Sequence, residues 1–391
     1  MAFTLIGGRF WTGGYNYLLN LLGTLDEWAS DRLVPVLFVG EDIDQELLAP
    51  FRNLRHVEIV TSAVFDGARF NIRLAAAFLT GRDRPAERIF TRHRIDVVFE
   101  PAAFYGWRFG LPAIAWMPDF QHRQLPQLFS RATYWKREIR CRMQVASGRH
   151  MLLSSEDARR DCETFFPASR GNTSVVRFAV LPNREALALD PQQVAQGYGL
   201  PDRFYYLPNQ FWKHKNHTLV IEALTLLAVR GLDVTVAVSG KQEDPYNPDH
   251  YRQIETLIEN TGISANFRIL GMIPYEHLIA LMRACRALIN PSLCEGWSTT
   301  VEEAKSLGVP MLLSDLSVHR EQAPPGTAFF DSHSASELAA LFTAFEGRPD
   351  IDRRAAEQAA VAAAGERVKQ YAADFAGTVE RCLAGRAGTA S

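Results

Sequence analysis

The sequence predicts an α/β chain of two domains, each built on a parallel sheet. Three observations carry this. The 391 residues are 47% hydrophobic and 22% charged, enough for two cores and without the bias of a disordered, collagenous or coiled-coil chain. In the C-terminal half, short apolar runs alternate with helical repeats across short Gly-marked connections, the pattern of a parallel sheet with helices on both faces. The stretch Phe178 to Phe204, with Pro182, Pro191 and Pro201 and little periodicity, reads as a join. This gives an N-terminal domain over 1–185, a C-terminal domain over 186–365, and a last helix and tail over 366–391. That Ala-rich helix either covers one domain or crosses back to the first.

The elements follow in order. Phe3 to Ile6 predicts a first strand, and Gly13-Gly14 lead into a helix with Tyr17, Leu18, Leu21 and Leu22 on one face. Strands are expected at Val34 to Val39, Val97 to Phe99, Ala113 to Trp116 and Met151 to Ser154, the last followed by a helix starting at Ser155-Glu156-Asp157. Lys215 to Arg230 repeats apolar residues at helical spacing until Gly231 closes it. Leu232 to Val238, Phe267 to Leu270, Ala287 to Asn290 and Val309 to Leu313 read as buried strands. Helices are expected at Tyr251 to Glu259, at Tyr275 to Cys285 and from the end of the Pro291–Trp297 loop to Leu307.

Composition excludes several function classes. A formal net charge of −2 argues against a general nucleic-acid binder, and neither a helix-turn-helix nor a zinc-finger pattern is present. No apolar run approaches the roughly 18–20 residues that span a bilayer. The start, MAFTLIGGRFWTGG, lacks the basic and apolar regions of a secretory signal. Cys141, Cys162, Cys285, Cys294 and Cys382 are scattered, odd in number and outside any CxxC pair, as reduced cytoplasmic thiols would be.

Ligands of open parallel sheets bind beyond the carboxyl ends of strands, against helix N-termini. The segment Pro291 to Ala304 follows a strand and enters a helix. Gly296 permits close backbone approach, and Ser298, Thr299 and Thr300 offer hydroxyls and first-turn N–H groups suited to phosphate. Glu295 in the loop and Glu303 on the helix can accept paired hydroxyls from different parts of one extended ligand. The competing reading makes Ser298 an N-cap, with Glu302 or Glu303 completing a capping box. A second cluster, Leu207 to His217, leads from a strand into a helix and concentrates Lys213, His214 and Lys215 where cations are disfavoured unless an anion binds.

The run PSLCEGWSTTVEEAKSLGVPMLLSD resembles the E-x7-E signature of retaining GT-B glycosyltransferases of family 4, with Glu295 and Glu303 at the two glutamate positions. The similarity extends from about Tyr206 to Gln322, through Gly271-Met272-Ile273-Pro274-Tyr275 and Asp315 to Glu321, and is looser before that. It implies a GT-B fold of two facing Rossmann-like domains. It implies a nucleotide-diphosphate sugar held by Asn209, Gln210, Lys215, Met272, Ile273, Glu295, Gly296, Trp297, Ser298, Thr299 and Glu303. In this scheme Glu303 binds ribose, Glu295 the transferred sugar, and N–H groups of Gly296, Trp297 and Ser298 the sugar and phosphate, while Lys215 neutralises the departing diphosphate. The family's usual Arg is replaced by Gln210, so Lys213 or an N-terminal-domain Arg would complete the cationic clamp.

In the N-terminal half, Thr12-Gly13-Gly14 resembles the family's Gly-rich loop, which lets backbone approach the donor phosphates; as residues alone it equally fits an ordinary turn. The loop Met117 to Arg123 follows a strand, placing Asp119 and His122 where they could orient the acceptor or the sugar, or serve as turn and capping groups. Asp42-Ile43-Asp44 has the DxD form of metal-dependent enzymes but follows Gly40-Glu41 and reads as a helix start, so no metal site is expected. Residues 66–151 carry fifteen Lys/Arg against seven Asp/Glu, peaking at Lys136 to Arg142 beside Tyr134 and Trp135. This is a solvated face or a surface that rests on anionic lipid.

The resemblance therefore implies a retaining, metal-independent hexosyltransferase without a cofactor. It would act on a GDP- or UDP-sugar, GDP-mannose among them, and on a glycan or lipid-linked acceptor of surface polysaccharide assembly. It would work in the cytoplasm at the inner face of the membrane. A GT-B nucleotide-sugar epimerase and a non-catalytic nucleotide-sugar binder are the alternatives, the latter kept open by Gln210.

Overall fold

The computed structural model describes residues 1–8, 12–101, 103–349 and 352–387. Among these, thirteen strands form two entirely parallel sheets. The first comprises β1 (Ala2–Thr4), β2 (Val36–Val39), β3 (Glu58–Thr61), β4 (Val98–Glu100), β5 (Ala113–Trp116), β6 (His150–Leu153) and β7 (Thr173–Val175), in the order β3-β2-β1-β4-β5-β6-β7. The second comprises β8 (Tyr205–Leu207), β9 (Val236–Ser239), β10 (Phe267–Gly271), β11 (Leu288–Asn290), β12 (Met311–Ser314) and β13 (Ala328–Phe330), in the order β10-β9-β8-β11-β12-β13. Both are Rossmann-like, and each order reverses once, between β1 and β4 and between β8 and β11.

The second sheet is buried on both faces, as continuous apolar strands require. Tyr205, Leu207, Val236, Val238, Ile289 and Leu312 point into one core. Their neighbours Tyr206, Ala237, Leu288, Met311 and Leu313 point into the other. The strand alternation of two thus fills two layers from one run of residues. Arg286 and Arg353 tie helix ends to this sheet. The Arg286 guanidinium donates to the Phe345 carbonyl, at the end of the helix Ala335–Glu346, and Arg353 Nη2 donates to the Cys285 and Arg286 carbonyls (2.6 and 2.8 Å). Cations suit the carbonyl-rich C-termini of helices.

The chain divides into two compact units at boundaries that differ from those expected from sequence. The first unit contains 1–120, 132–178 and 367–391; the second contains 121–131 and 179–366. The changeover thus falls at Phe178/Ala179 rather than 185/186. The 178–204 join is also more than a linker: Asn183 and Asp190 cap short helices, Arg184–Ala188 and Pro191–Gly197. These bury Ala186 and Ala195 against the second unit's core. Their apolar faces are too short to register as periodicity.

The last helix, Arg353–Ala387, begins in the second unit and continues in the first. Ala364, Val368, Tyr371, Ala372, Phe375, Ala376 and Val379 are buried at helical spacing. In the first unit Phe375 lies 6.2 Å from Phe3 and 5.9 Å from Phe99, ring centroid to centroid. Replacing Phe375 with Ala should destabilise the first unit by roughly 3–5 kcal/mol, the usual cost of emptying a buried aromatic position. Calorimetry should then show an earlier transition for that unit.

Candidate functional site

The site is built where the second sheet changes direction. β8 and β11 are paired there, so the loops after them, 208–216 and 291–298, leave the same edge side by side. This reversal is the preferred ligand position of open α/β sheets. The Leu293 N–H donates to the His214 carbonyl (2.8 Å), lacing the loops together. Asn216 adopts left-handed backbone (φ 58°, ψ 40°) just before the helix His217–Val229, and its side chain donates to the carbonyls of Pro291 (3.1 Å) and Ser332 (2.8 Å). Asn tolerates this conformation better than most residues. The kink ends the turn Lys213–Lys215 with Lys215 directed at Glu295.

Lys215 Nζ lies 2.6 Å from Glu295 Oε1, which also accepts from Ser292 Oγ at 2.7 Å. Burial pushes the Glu295 carboxyl up, but Lys215 first, then His214 and His319, outweigh it and bring its pKa to about 2. Glu303 has the opposite setting. It is buried with Tyr275 as its hydrogen-bond partner, and burial raises its pKa to about 8 despite that bond. Two carboxylates in one segment are thus driven apart, one fixed as an anion and one kept protonated near neutrality.

The loop between them is held by buried amides. Asn290, the last residue of β11, donates to Ser298 Oγ (2.9 Å) and accepts from the Ser292 N–H (3.3 Å). Gln322 accepts from the Ser298 N–H (3.1 Å) and donates to the Ser298 carbonyl (2.7 Å). The expectation that the Ser298 N–H contacts ligand is therefore corrected: Gln322 already occupies it. The capping-box alternative fails as well. Ser298 precedes the helix Thr299–Ser306 but makes no side-chain cap, and the third helical residue, where a box needs Glu or Gln, is Val301. The N–H groups of Thr299, Thr300 and Val301 consequently lack intrahelical acceptors and open an anion-attracting helix start.

The remaining donor-side residues surround this start in chain and sheet order. Gly296 and Trp297 are buried, Thr299 is half-buried, Ile273 is half-buried and Met272 is exposed after β10. Asn209 is buried and donates weakly to Asn290 (3.5 Å), while Gln210 is half-buried and Lys213 exposed. Gly240, after β9, has φ 146°. A Cβ there would lie 2.6 Å from the Asn209 carbonyl oxygen, so only glycine lets the β9 loop approach this segment.

The residues expected from the other half are dispersed. Gly13 and Gly14 lie in the first turn of the helix Thr12–Trp28, in the first unit, and are not a loop. The left-handed glycines of this stretch are Gly7 and Gly8 (φ 72° and 88°), separated from the end of β1 by Leu5 and Ile6; residues 9–11 lie outside the described residues. Asp119, in the first unit, pairs with Arg137 at 2.5 Å. His122 is fully buried in the turn Gln121–Gln124, which belongs to the second unit, where Gln124 accepts from Cys294 Sγ (2.6 Å). Asp44 caps the helix Gln45–Arg52 and Asp42 accepts from the Gly67 N–H (2.9 Å), which is structural work for both carboxylates. Sequence reasoning missed Asn290, Ser292, Tyr275, Ser314, His319 and Gln322. The polar residues that close the apolar strands LIN and MLLS were the available sign.

Residues 196–361 match the family model described as glycosyl transferases group 1. This region holds Lys215, Glu295, Glu303 and Gln322. The chain is also 27% identical over 148 residues to the serotype-specific mannosyltransferase WbdA of Escherichia coli, a match covering 38% of this chain and 18% of WbdA. The match therefore spans less than a fifth of that curated relative. Among solved structures, a glycosyltransferase from Rickettsia africae ESF-5 superposes with a TM-score of 0.73 at 12% identity over 98% of each chain. Anabaena Alr3699/HepE, solved in complex with UDP and glucose, superposes with a TM-score of 0.68 at 17% identity, over 97% of this chain and 99% of that one. These likenesses establish the GT-B fold.

Two outcomes test the electrostatics. Because the Glu303 pKa rises from 4.5 to about 8 on folding, its favourable contribution is complete below pH 4.5 and is lost as pH rises through about 8. Glu303→Gln should flatten that part of the melting-temperature profile between pH 5 and 9, and an unchanged slope would contradict the protonated state. Lys215→Met leaves Glu295 buried without its cation, and should cost up to ~3 kcal/mol at pH 7 by chemical denaturation. Its deficit should shrink towards acidic pH as the Glu295 carboxyl protonates.

Proposed function

We propose that the protein is a retaining glycosyltransferase that transfers a hexose from a nucleotide-diphosphate sugar to a glycan or lipid-linked acceptor. The observation that carries this reading is the helix start at Thr299, set beside the Lys215–Glu295 pair and Glu303 at the reversal of a parallel sheet. It offers orphan N–H groups and a cation for a diphosphate, and carboxylates for hydroxyls. The family match over this region supports it.

In this reading Glu303 releases its proton to accept the ribose hydroxyls, and Oε2 of Glu295, the oxygen not engaged by Lys215 and Ser292, accepts a hydroxyl of the sugar. Lys215 and the 299–301 N–H groups stabilise the charge that grows on the diphosphate as the C1–O bond breaks. The acceptor oxygen bonds to C1 on the same face, and its proton leaves on the departing phosphate oxygen. No protein nucleophile, cofactor or metal takes part. Preorganised charge of this kind is the main catalytic contribution, each donor being worth roughly 3–4 kcal/mol. Lys213 supplements Lys215 where Gln210 replaces the family's Arg. GDP-mannose is the favoured donor, on the strength of the WbdA similarity, with UDP-sugars next. The first unit supplies the acceptor site, including Asp119.

Surface polysaccharide assembly at the inner membrane face fits two exposed helices of the first unit. Gly67–Thr80 buries only Ala77 while exposing Phe70, Ile72 and Leu79, and Arg131–Ala146 exposes Trp135 and Ile139 among its basic residues. No described helix is long and apolar enough to cross a membrane.

A thermal-shift panel of UDP, GDP, ADP and CMP with EDTA tests the reading. One nucleotide should raise the melting temperature, by about 2.7 kcal/mol of stabilisation at 100-fold its Kd. Silence from all four removes the donor site. Glu303→Ala should chiefly raise the donor KM, and an unchanged KM contradicts the ribose role.

A further inference from the structure

The helix Ser317–Gln322 carries no residue assigned to the ligand, yet it grips both shoulders of the donor loop. On one side, His319 Nδ1–H donates to the Ser314 carbonyl (2.8 Å), and Ser314 Oγ donates to the Ser292 carbonyl (2.6 Å), three residues before Glu295. On the other side, Gln322 meets Ser298. Its Oε1 accepts from the Ser298 N–H at 3.1 Å, and its Nε2 donates to the Ser298 carbonyl at 2.7 Å and to Glu302 Oε1 at 3.2 Å. Gln322 and His319 are fully buried and Ser298 nearly so.

A carboxamide presents an acceptor and a donor on the same planar group whatever the pH. Flipping it would set oxygen against the Ser298 carbonyl and the Glu302 carboxylate, so only one orientation satisfies the site. Ser298 is the residue from which the helix Thr299–Ser306 departs, and the Glu302 N–H donates to that same Ser298 carbonyl (3.1 Å) as the first bond of the helix. Fixing the Ser298 N–H and C=O therefore fixes the direction of the three N–H groups that follow. Ser298 makes no side-chain cap; Asn290 holds its hydroxyl (2.9 Å), while Gln322 holds both its N–H and its C=O.

We propose that Gln322 is a positioning residue of the nucleotide-sugar site, its carboxamide locked onto the Ser298 backbone so that the N–H groups of Thr299, Thr300 and Val301 aim at the diphosphate. The proposal rests on the donor-site reading above. Gln322 touches no ligand in this scheme; it acts through the peptide it holds, and misalignment of such donors by a fraction of an ångström weakens an electrostatic site.

Gln322→Glu separates positioning from support. Full burial beside the Glu302 carboxylate pushes the introduced acid's pKa up from the ordinary glutamate value; as a neutral acid it still offers one acceptor and one donor to Ser298, and as a carboxylate it has no donor and opposes Glu302. The titratable groups around it are Glu302, the Lys305 ammonium paired with Glu302 at 3.3 Å, and on its own helix the His319 imidazole, whose pKa burial lowers. Calorimetric titration of the full chain with UDP and with GDP, at pH 5.5 and 8.5, gives Kd ratios to wild type at each pH, with melting temperatures measured alongside. The Gln322→Glu variant should bind within threefold of wild type at pH 5.5 and at least tenfold more weakly at pH 8.5. Gln322→Leu should bind at least tenfold more weakly at both. Variants that melt earlier yet keep the wild-type Kd at both values would show a merely structural residue and overturn the proposal. Equal weakening of Gln322→Glu at both values would overturn it too. Failure of the wild-type protein to bind either nucleotide would instead remove the donor-site reading on which it stands.

Discussion

The pairing of β8 with β11 is the constraint on which the site depends. These strands lie about eighty positions apart in sequence, and only their adjacency at the reversal of strand order sets Lys215 against Glu295 (2.6 Å). Everything local serves that meeting. Asn216 turns the backbone left-handed, His214 accepts from the opposite loop, and Ser292 supplies the second donor to the same carboxylate oxygen. Removing water from an ion pair is costly, and the pair survives burial because its geometry is short and its anion is doubly hydrogen-bonded.

The two glutamates illustrate how environment assigns function to identical side chains. Glu295 has a cation and a hydroxyl beside it and remains ionised; Glu303 is buried beside a tyrosine hydroxyl and holds a proton. Neither state follows from their spacing of eight residues. It follows from which strand and helix end each side chain meets.

Legibility of the sequence tracked the length and apolar continuity of each run. Phe267–Gly271 and Leu288–Asn290 agree closely with the expected strands, because both are apolar runs closed by Gly or a polar residue. The edge strands β3, β7 and β13 were not anticipated: EIVT and TSV are at most half-buried, and AFF is too short to show a period. At the site, the residues that meet ligand in the proposed scheme were legible because loops between strand and helix carry recognisable Gly, Ser and Glu. The residues that hold the loop were not. Gln322 lies twenty-four positions from Ser298, and nothing in a polar residue near a short helix announces which peptide it will bracket.

The shared last helix sets the order in which the protein can be completed. Residues 1–178 leave the ribosome well before Arg367–Ala387, yet Phe375 packs on Phe3 and Phe99. The unit begun first is therefore finished last, and its sheet carries an uncovered aromatic face throughout synthesis of the other unit. During that interval the nascent chain exposes the aromatic surface that the mature protein hides.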